Sequence, residues 1–474
     1  MTMVDQPVNQ QINQPLSQQL MSYFKNSNDL AVFTNHQSAT YSELHTLVAI
    51  KSAEYNFLPN GSVVWLVVFN NVDTLATLFA LWDLGHCVFT VDPQTKPDEL
   101  VTINKKLLCN FKIDKTDSAL LHKITCVETI EPELAQTALL QLTSGSTSEP
   151  KLLKISLDSL IYRSQMNSNH LGLTAADKTL CTMPLSHSHG LDCLTMPTLM
   201  TGGQVFLFEP ATAYPFRILE WTKKYQVTFF SSLPQMYDLF NQVNIENRDD
   251  YKSLRYAFCG SAALSQVTAE KFTQKFGLRL YQGYGLAEIG VICVNLDSNN
   301  AKASSIGQPI PGIEWQVSSD GELLVKSMAL FQGYFKNQQQ TDERIENGFL
   351  KTQDLVSLGE NQFLYITGRK NDFINVMGKK VFPREIEDQM ADFPMIVESC
   401  VIGVPDAVRG QVPALFLISA DFKYDKNEIE KTIISELMEK LEDFKVPKKI
   451  IWVEKFPKSP IGKILRAQLS SLVP

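Results

Sequence analysis

Residues 63–92 constrain the fold most. Val63-Val-Trp-Leu-Val-Val-Phe69 is an unbroken apolar run, as expected of a strand buried on both faces. Residues 74–85 follow with helical spacing and stop at Gly85, which suits the left-handed turn that ends a helix. Cys87-Val-Phe-Thr-Val-Asp92 is a second apolar run, halted before Pro93. Strand, helix and strand at this spacing make a right-handed crossover between parallel strands. The alternation returns downstream: strand at 204–208, helix at 215–224, strand at 227–231, helix at 234–240, strand at 254–259. A large α/β domain with parallel sheets is expected. Nearer the start, residues 39–44 open a helix, with Ser42 as the expected N-cap.

From about residue 306 the pattern changes. Glu314-Trp-Gln-Val-Ser318 and Glu322-Leu-Leu-Val-Lys326 flank Asp320-Gly321, a hairpin turn pair, so a small antiparallel β subdomain is expected. After Gly368-Arg369 a separate module begins, with a helix at 384–391, strands at 397–404 and 414–418, and a charged helix at 426–442. A chain of 474 residues exceeds one compact core. The expected division is a disordered Gln/Asn/Pro-rich tail (1–15), a core (16–369) and a small α+β C-terminal domain (370–474).

The chemistry points first to Gln141-Leu-Thr-Ser-Gly-Ser-Thr-Ser-Glu-Pro-Lys151. Hydroxyls of Thr143, Ser144, Ser146, Thr147 and Ser148 surround Gly145, and Lys151 closes the run. Apolar residues on both sides predict strand, loop, strand. Hydroxyls and free N–H groups in such a turn form a concave donor surface for polyphosphate oxygens, and the lysine adds a point charge. It is not a Walker A loop, because Pro150 precedes the lysine and no Gly-Lys-Ser/Thr opens a helix. Taken alone, the loop outweighs a Ser-rich surface linker only modestly; what lies downstream decides. Pro184-Leu-Ser-His-Ser-His-Gly190, Phe258-Cys-Gly-Ser-Ala-Ala-Leu264, Tyr281-Gln-Gly-Tyr-Gly-Leu-Ala-Glu288, Phe349-Leu-Lys-Thr-Gln-Asp354, Tyr365-Ile-Thr-Gly-Arg369 and Pro457-Lys-Ser-Pro-Ile-Gly-Lys463 follow in order. Gly283 and Gly285 do not make a dinucleotide fingerprint, since the third glycine falls at 290. His187 and His189 alone do not make a zinc site.

In that order the motifs resemble those of the adenylate-forming superfamily of acyl-CoA synthetases, adenylation domains and luciferases, and they cover nearly the whole chain. The resemblance implies a large α/β domain with a small mobile C-terminal one. It implies activation of a carboxylic acid by ATP to an acyl-adenylate, with pyrophosphate released, then transfer to a thiol, CoA first. The alternatives are a carrier-protein phosphopantetheine or an amine as acceptor, or a nucleotide-binding homologue without turnover. Lys463, His187 and Thr147 take the catalytic positions. Thr143, Ser144, Gly145, Ser146, Thr147 and Lys151 take the phosphate positions; Gly260, Ser261, Ala262, Gln282, Gly283, Tyr284, Gly285, Ala287 and Ile366 line the nucleotide; Asp354 and Arg369 take the ribose side. Glu288 takes the magnesium position, a carboxylate for a hard cation, and Asn371 the hinge. His189 has no counterpart, and a surface histidine is an equal reading of it. Five positions depart from the family pattern: Ser148 and Leu152 for glycine, Ala287 for threonine, Gln353 for glycine, and Asn371 at the hinge. Ser188 stands where amino-acid adenylation domains carry an aspartate, so an α-amino acid is not the expected substrate.

The totals exclude other classes. A net charge of −8 argues against a nucleic-acid or anionic-membrane binder. The eight cysteines are scattered without a C-x-x-C, so neither a disulfide framework nor a zinc module is expected. No run of 18 apolar residues predicts a membrane span, and a cytoplasmic enzyme acting on small molecules is the expectation.

Overall fold

The computed structural model describes residues 27–95, 100, 103, 107, 111–113, 121–122, 132–143, 151–296, 305–393, 395–419, 425–458 and 464–473. The expected tail, Ser144 to Pro150 of the phosphate loop, and Lys463 lie outside the described residues.

The crossover is present as strand Val63–Val67, helix Val72–Asp83 and strand Cys87–Val91. The strands pair in parallel, from Val63 opposite Cys87 to Val67 opposite Val91. Asn71 caps the helix by accepting from the Thr74 N–H, and Gly85 takes φ +75° just beyond its end. These strands sit in a seven-stranded sheet, ordered Gly333–Tyr334, Lys151–Ile155, Leu139–Thr143, Cys87–Val91, Val63–Val67, Phe111–Ile113, Leu121–His122. Leu139–Thr143 and Lys151–Ile155 pair antiparallel with Thr143 opposite Lys151, so the phosphate loop joins two adjacent strands.

A second sheet has nine strands. Its parallel centre runs through Leu280–Leu286, Tyr256–Cys259, Phe229–Ser232, Lys178–Cys181, Gln204–Leu207 and Leu30–Phe33. One core unites the two sheets, and a second, aromatic core lies under helices Pro215–Tyr225, Pro234–Gln242 and Gln266–Phe276. The expected cap at Ser42 is not the one used. Helix Tyr41–Tyr55 starts from Thr40, whose hydroxyl accepts from the Glu43 N–H while the Glu43 carboxylate accepts from the Thr40 N–H at 2.8 Å. Glu43 stands three residues after Thr40, and that spacing satisfies two orphan donors at once.

The antiparallel subdomain is built on the long strand Phe349–Leu358, which pairs with Glu322–Lys326, Ile345–Glu346 and Leu364–Arg369. Asp320-Gly321 makes the turn to Glu314–Val317 as expected. Beyond it, the C-terminal domain pairs Ile396–Asp406 with Gly410–Ser419 over their length and adds Lys449–Trp452 in parallel. Helix Lys426–Lys440 buries Ile429, Ile433 and Leu437 against that sheet, and the domain has hydrophobic cores of its own. The helix expected at 384–391 is α-helical only over Pro383–Glu387 and tightens to a 3-10 turn at Asp388–Asp392.

Candidate active site

Strand Leu280–Leu286 changes partners midway. Gln282 pairs in parallel with Cys259, whereas Gly283 to Leu286 pair antiparallel with the strand Gly290–Val294. That change turns Tyr284 toward the antiparallel subdomain. A side chain at Gly285 would collide with the Gly290 carbonyl, so the reversal requires glycine there. The Tyr284 hydroxyl donates to Asp354 Oδ2 at 2.6 Å, and Arg369 Nε donates to Asp354 Oδ1 at 2.8 Å. Three predicted residues from three strands thus meet at one carboxylate that is only 3% exposed. Burial, and then the Asp354 charge, hold the Tyr284 phenol well above its ordinary range, so it stays a donor. A carboxylate has about four lone-pair sites, so two remain for the paired hydroxyls of a ribose. Ile366 lies in the next strand, opposite Val356.

Gln353 explains how the chain tolerates a missing glycine. It takes φ +63°, the left-handed region that glycine enters without cost. Its N–H donates to Glu322 Oε1 at 2.8 Å, which helps hold the strained residue.

His187 precedes the short turn Ser188–Gly190 and leads into a π-helical segment, Leu191–Thr195. Such segments are rare and concentrate at functional sites. Burial lowers the His187 pKa. His189, given equal weight as a surface residue from sequence, is placed instead. Its Nε2 lies 2.7 Å from Ser231 Oγ and its Nδ1 3.1 Å from Ser261 Oγ. The ring packs beside Gly260, where a Cβ would stand 3.5 Å from His189 Cε1 and 3.8 Å from the Gly283 carbonyl. Burial, then the neighbouring His187, pushes the imidazole down to about 4, so it is neutral near pH 7. Ser261 takes φ +64° to reach it. Ala262 follows Ser261 in the same turn.

Arg163 lies in none of the sequence motifs. It is buried in helix Leu157–Leu171 and donates to Asp192 Oδ2 at 2.9 Å, to the Ala287 carbonyl at 3.2 Å and to the Ala329 carbonyl at 2.8 Å. It thereby ties the π-helical segment to the Ala287-Glu288 turn. The departure at Ala287 leaves its backbone carbonyl, not a hydroxyl, as the group in use here.

Glu288 Oε1 accepts from the Tyr334 hydroxyl at 2.8 Å and from Arg344 Nη2 at 3.1 Å. Its Oε2 has no hydrogen-bond partner among the described residues. A buried carboxylate that already holds a guanidinium, with one oxygen open, fits a hard cation such as magnesium. Among the described residues no three His, Cys, Asp or Glu gather as a metal cage. The Lys151 ammonium lies 5.5 Å from the centre of the Tyr334 ring. The Thr143 backbone stands opposite Lys151. Ser144, Gly145, Ser146, Thr147 and Lys463 lie outside the described residues. Asn371 sits in the turn between Leu364–Arg369 and Ile374–Val376.

The geometry is a buried acid held between a phenol and a guanidinium, in a two-sheet α/β body that is followed by a separately cored C-terminal domain. Comparison with known proteins makes the class specific. Residues 125–335 match the AMP-binding enzyme family and residues 385–463 the AMP-binding enzyme C-terminal domain. A 2-succinylbenzoate–CoA ligase of Listeria monocytogenes is 30% identical over 339 residues, covering 71% of this chain and 70% of that protein. A long-chain-fatty-acid–CoA ligase of Escherichia coli is 28% identical over 455 residues, covering 90% of this chain and 80% of that protein. The crystal structure of ATP-bound MatB from Rhodopseudomonas palustris matches the fold with a TM-score of 0.86 at 22% identity, over 97% of this chain and 98% of that one. The chain belongs to the AMP-binding enzyme family. Among the described residues no helix is long and apolar enough to cross a membrane.

Proposed function

We propose that the protein joins a small-molecule carboxylic acid to AMP at the expense of ATP, releases pyrophosphate, and passes the acyl group to the thiol of CoA. The observation that carries this reading is the meeting of Tyr284, Asp354 and Arg369, which offers a ribose two carboxylate oxygens between a fixed phenol and a fixed guanidinium. Both relatives named above are CoA ligases, which favours CoA over a carrier-protein phosphopantetheine or an amine as acceptor.

In the first step a carboxylate oxygen attacks the α-phosphorus of ATP. The new O–P bond forms as the bond to the bridging oxygen breaks, and pyrophosphate leaves with that electron pair. Two anions must meet, so positioning and positive charge supply most of the catalysis. Lys151 and the 143–147 loop hold the β- and γ-phosphates. Magnesium, when bound at Glu288, offsets phosphate charge. Lys463 bridges the acid and the α-phosphate. His187, with its pKa lowered by burial, packs beside the acid without adding charge. In the second step the CoA sulfur attacks the acyl carbon, the C–O bond to phosphate breaks, and AMP leaves. Between the steps the domain from residue 370 turns about Asn371 and withdraws Lys463.

The test is acid-dependent exchange of labelled pyrophosphate into ATP across a carboxylic-acid library, then scoring of CoA, carrier protein and amines as acceptors. Lys463→Ala lowers adenylation by about two to three orders of magnitude and spares thioester formation from a supplied acyl-adenylate. Equal loss in both halves contradicts the role given to Lys463, and no exchange with any acid contradicts the function.

A further inference from the structure

Arg344 has no place among the motifs, yet it sits in the charged centre of the site. It ends the helix Gln338–Arg344. Its Nη2 holds Glu288 Oε1, its Nε reaches the Tyr334 hydroxyl at 3.3 Å, and its side chain is 11% exposed. Nη1 is buried and has no partner among the described residues. A buried guanidinium N–H without an acceptor is costly, so the arrangement calls for an anion beside it.

The surroundings say which anion. Tyr334 pairs through its backbone with Leu153, on the strand that leaves the phosphate loop, and the Lys151 ammonium lies over its ring. Tyr334 thus stands between the two cations, its hydroxyl accepting from Arg344 Nε and its ring facing Lys151; burial, then the Arg344 charge, lowers the Lys151 pKa. Arg369 feels Arg344 as well. Arg344 is paired with Glu288 and Arg369 with Asp354. Through Tyr334, Arg344 is joined to the strand that begins at Lys151. An acceptor rich in negative charge fits there better than a single carboxylate does.

We propose that Arg344 is a polyphosphate-binding residue: it keeps Glu288 Oε1 on Nη2, gives Nη1 to a β- or γ-phosphate oxygen of ATP, and leaves Glu288 Oε2 for magnesium. The proposal rests on the reading of the protein as an ATP-using ligase. Arginine suits this double duty because its planar fork fixes the directions of its donors, whereas a lysine ammonium is a point charge on a flexible stem.

Calorimetric titration of the full-length protein separates the possibilities, with ATP, pyrophosphate and AMP as probes, in magnesium and in EDTA. In Arg344→Met, ATP and pyrophosphate bind about tenfold more weakly or worse, while AMP changes by less than about twofold. Arg344→Lys recovers part of the loss. The loss of ATP affinity also persists in a Glu288→Gln background in EDTA, where no freed carboxylate is left to repel phosphate. Unchanged ATP affinity in Arg344→Met overturns the proposal. So does an equal loss of AMP and ATP in both Arg344→Met and Arg344→Lys, or disappearance of the effect in the Glu288→Gln background. Absence of ATP binding by the wild-type protein overturns the ligase reading first, and this proposal with it.

Discussion

His189 is a residue whose environment changes its chemistry below neutral pH. The folded protein refuses its proton until about pH 4, whereas an unfolded chain accepts one near 6.5. The unfolded state therefore binds more protons in that window. The stabilisation is complete above pH 6.5 and is lost as pH falls toward about 4. Burial shifts His86, His170 and His187 the same way, so the contribution is read as a difference. His189→Gln is expected to show a shallower drop in Tm than the wild type across that range, measured by scanning calorimetry. At this scale legibility followed chemistry that a short string can carry. Asp354, Arg369, Tyr284 and Glu288 each stand inside a run whose neighbours announce them. His189, Arg163 and Arg344 do not, because their partners are distant in sequence: Ser231 and Ser261, Asp192 and Ala287, and Glu288. A lone arginine in a helix has no local signature.

The hairpin Ile374–Val376 to Lys379–Val381 shows what an element can bear. Val376 pairs with Lys379, so Met377 and Gly378 alone make the turn, at φ +51° and φ +84°. Two positive angles define the tight turn that favours Asn-Gly, and methionine is a poor first residue for it. The Asn375 side chain accepts from the Gly378 N–H at 2.8 Å and steadies the turn. The Met377 side chain is exposed and buries little. Met377→Asn is expected to stabilise the C-terminal domain by about 0.5–1 kcal/mol, read as a shift of its denaturant midpoint without a change in slope. Continuous apolar strands were legible as elements: Val63–Val67 and Cys87–Val91 have no polar face to confuse the period. Ends were less so. Thr40 and Ser42 are both good caps by type, and only the Glu43 side chain reaching back decides between them.

Across the whole molecule, the cores of the C-terminal domain are distinct from the core that unites the two large sheets. Unfolding is therefore not expected to be a single cooperative event. Calorimetry should give a total enthalpy larger than the van't Hoff value, with the transition of the large domain raised selectively by ATP. At a hundredfold excess over Kd the ligand adds about 2.7 kcal/mol. The order of domains was readable because the hydrophobic pattern changes at residue 306 and again after Arg369. The order of strands was not: Lys178–Cys181 lies between Phe229–Ser232 and Gln204–Leu207, an arrangement set by crossovers that no local pattern records. The join between the two domains has a consequence of its own. Lys370 is fastened to the large body through Asp320 at 2.6 Å, Glu322 at 2.8 Å and the Gln353 carbonyl, while Ile374 is already packed in the small one and Asp372 faces Arg466. With both flanks clamped, the swing proposed above has few torsions around Asn371 to turn on, and it must first release the Asp372 N–H from the Arg369 carbonyl. A joint that short suits a pin and not a tether: the path of the proposed swing is an arc dictated by its mounting, with no slack to wander.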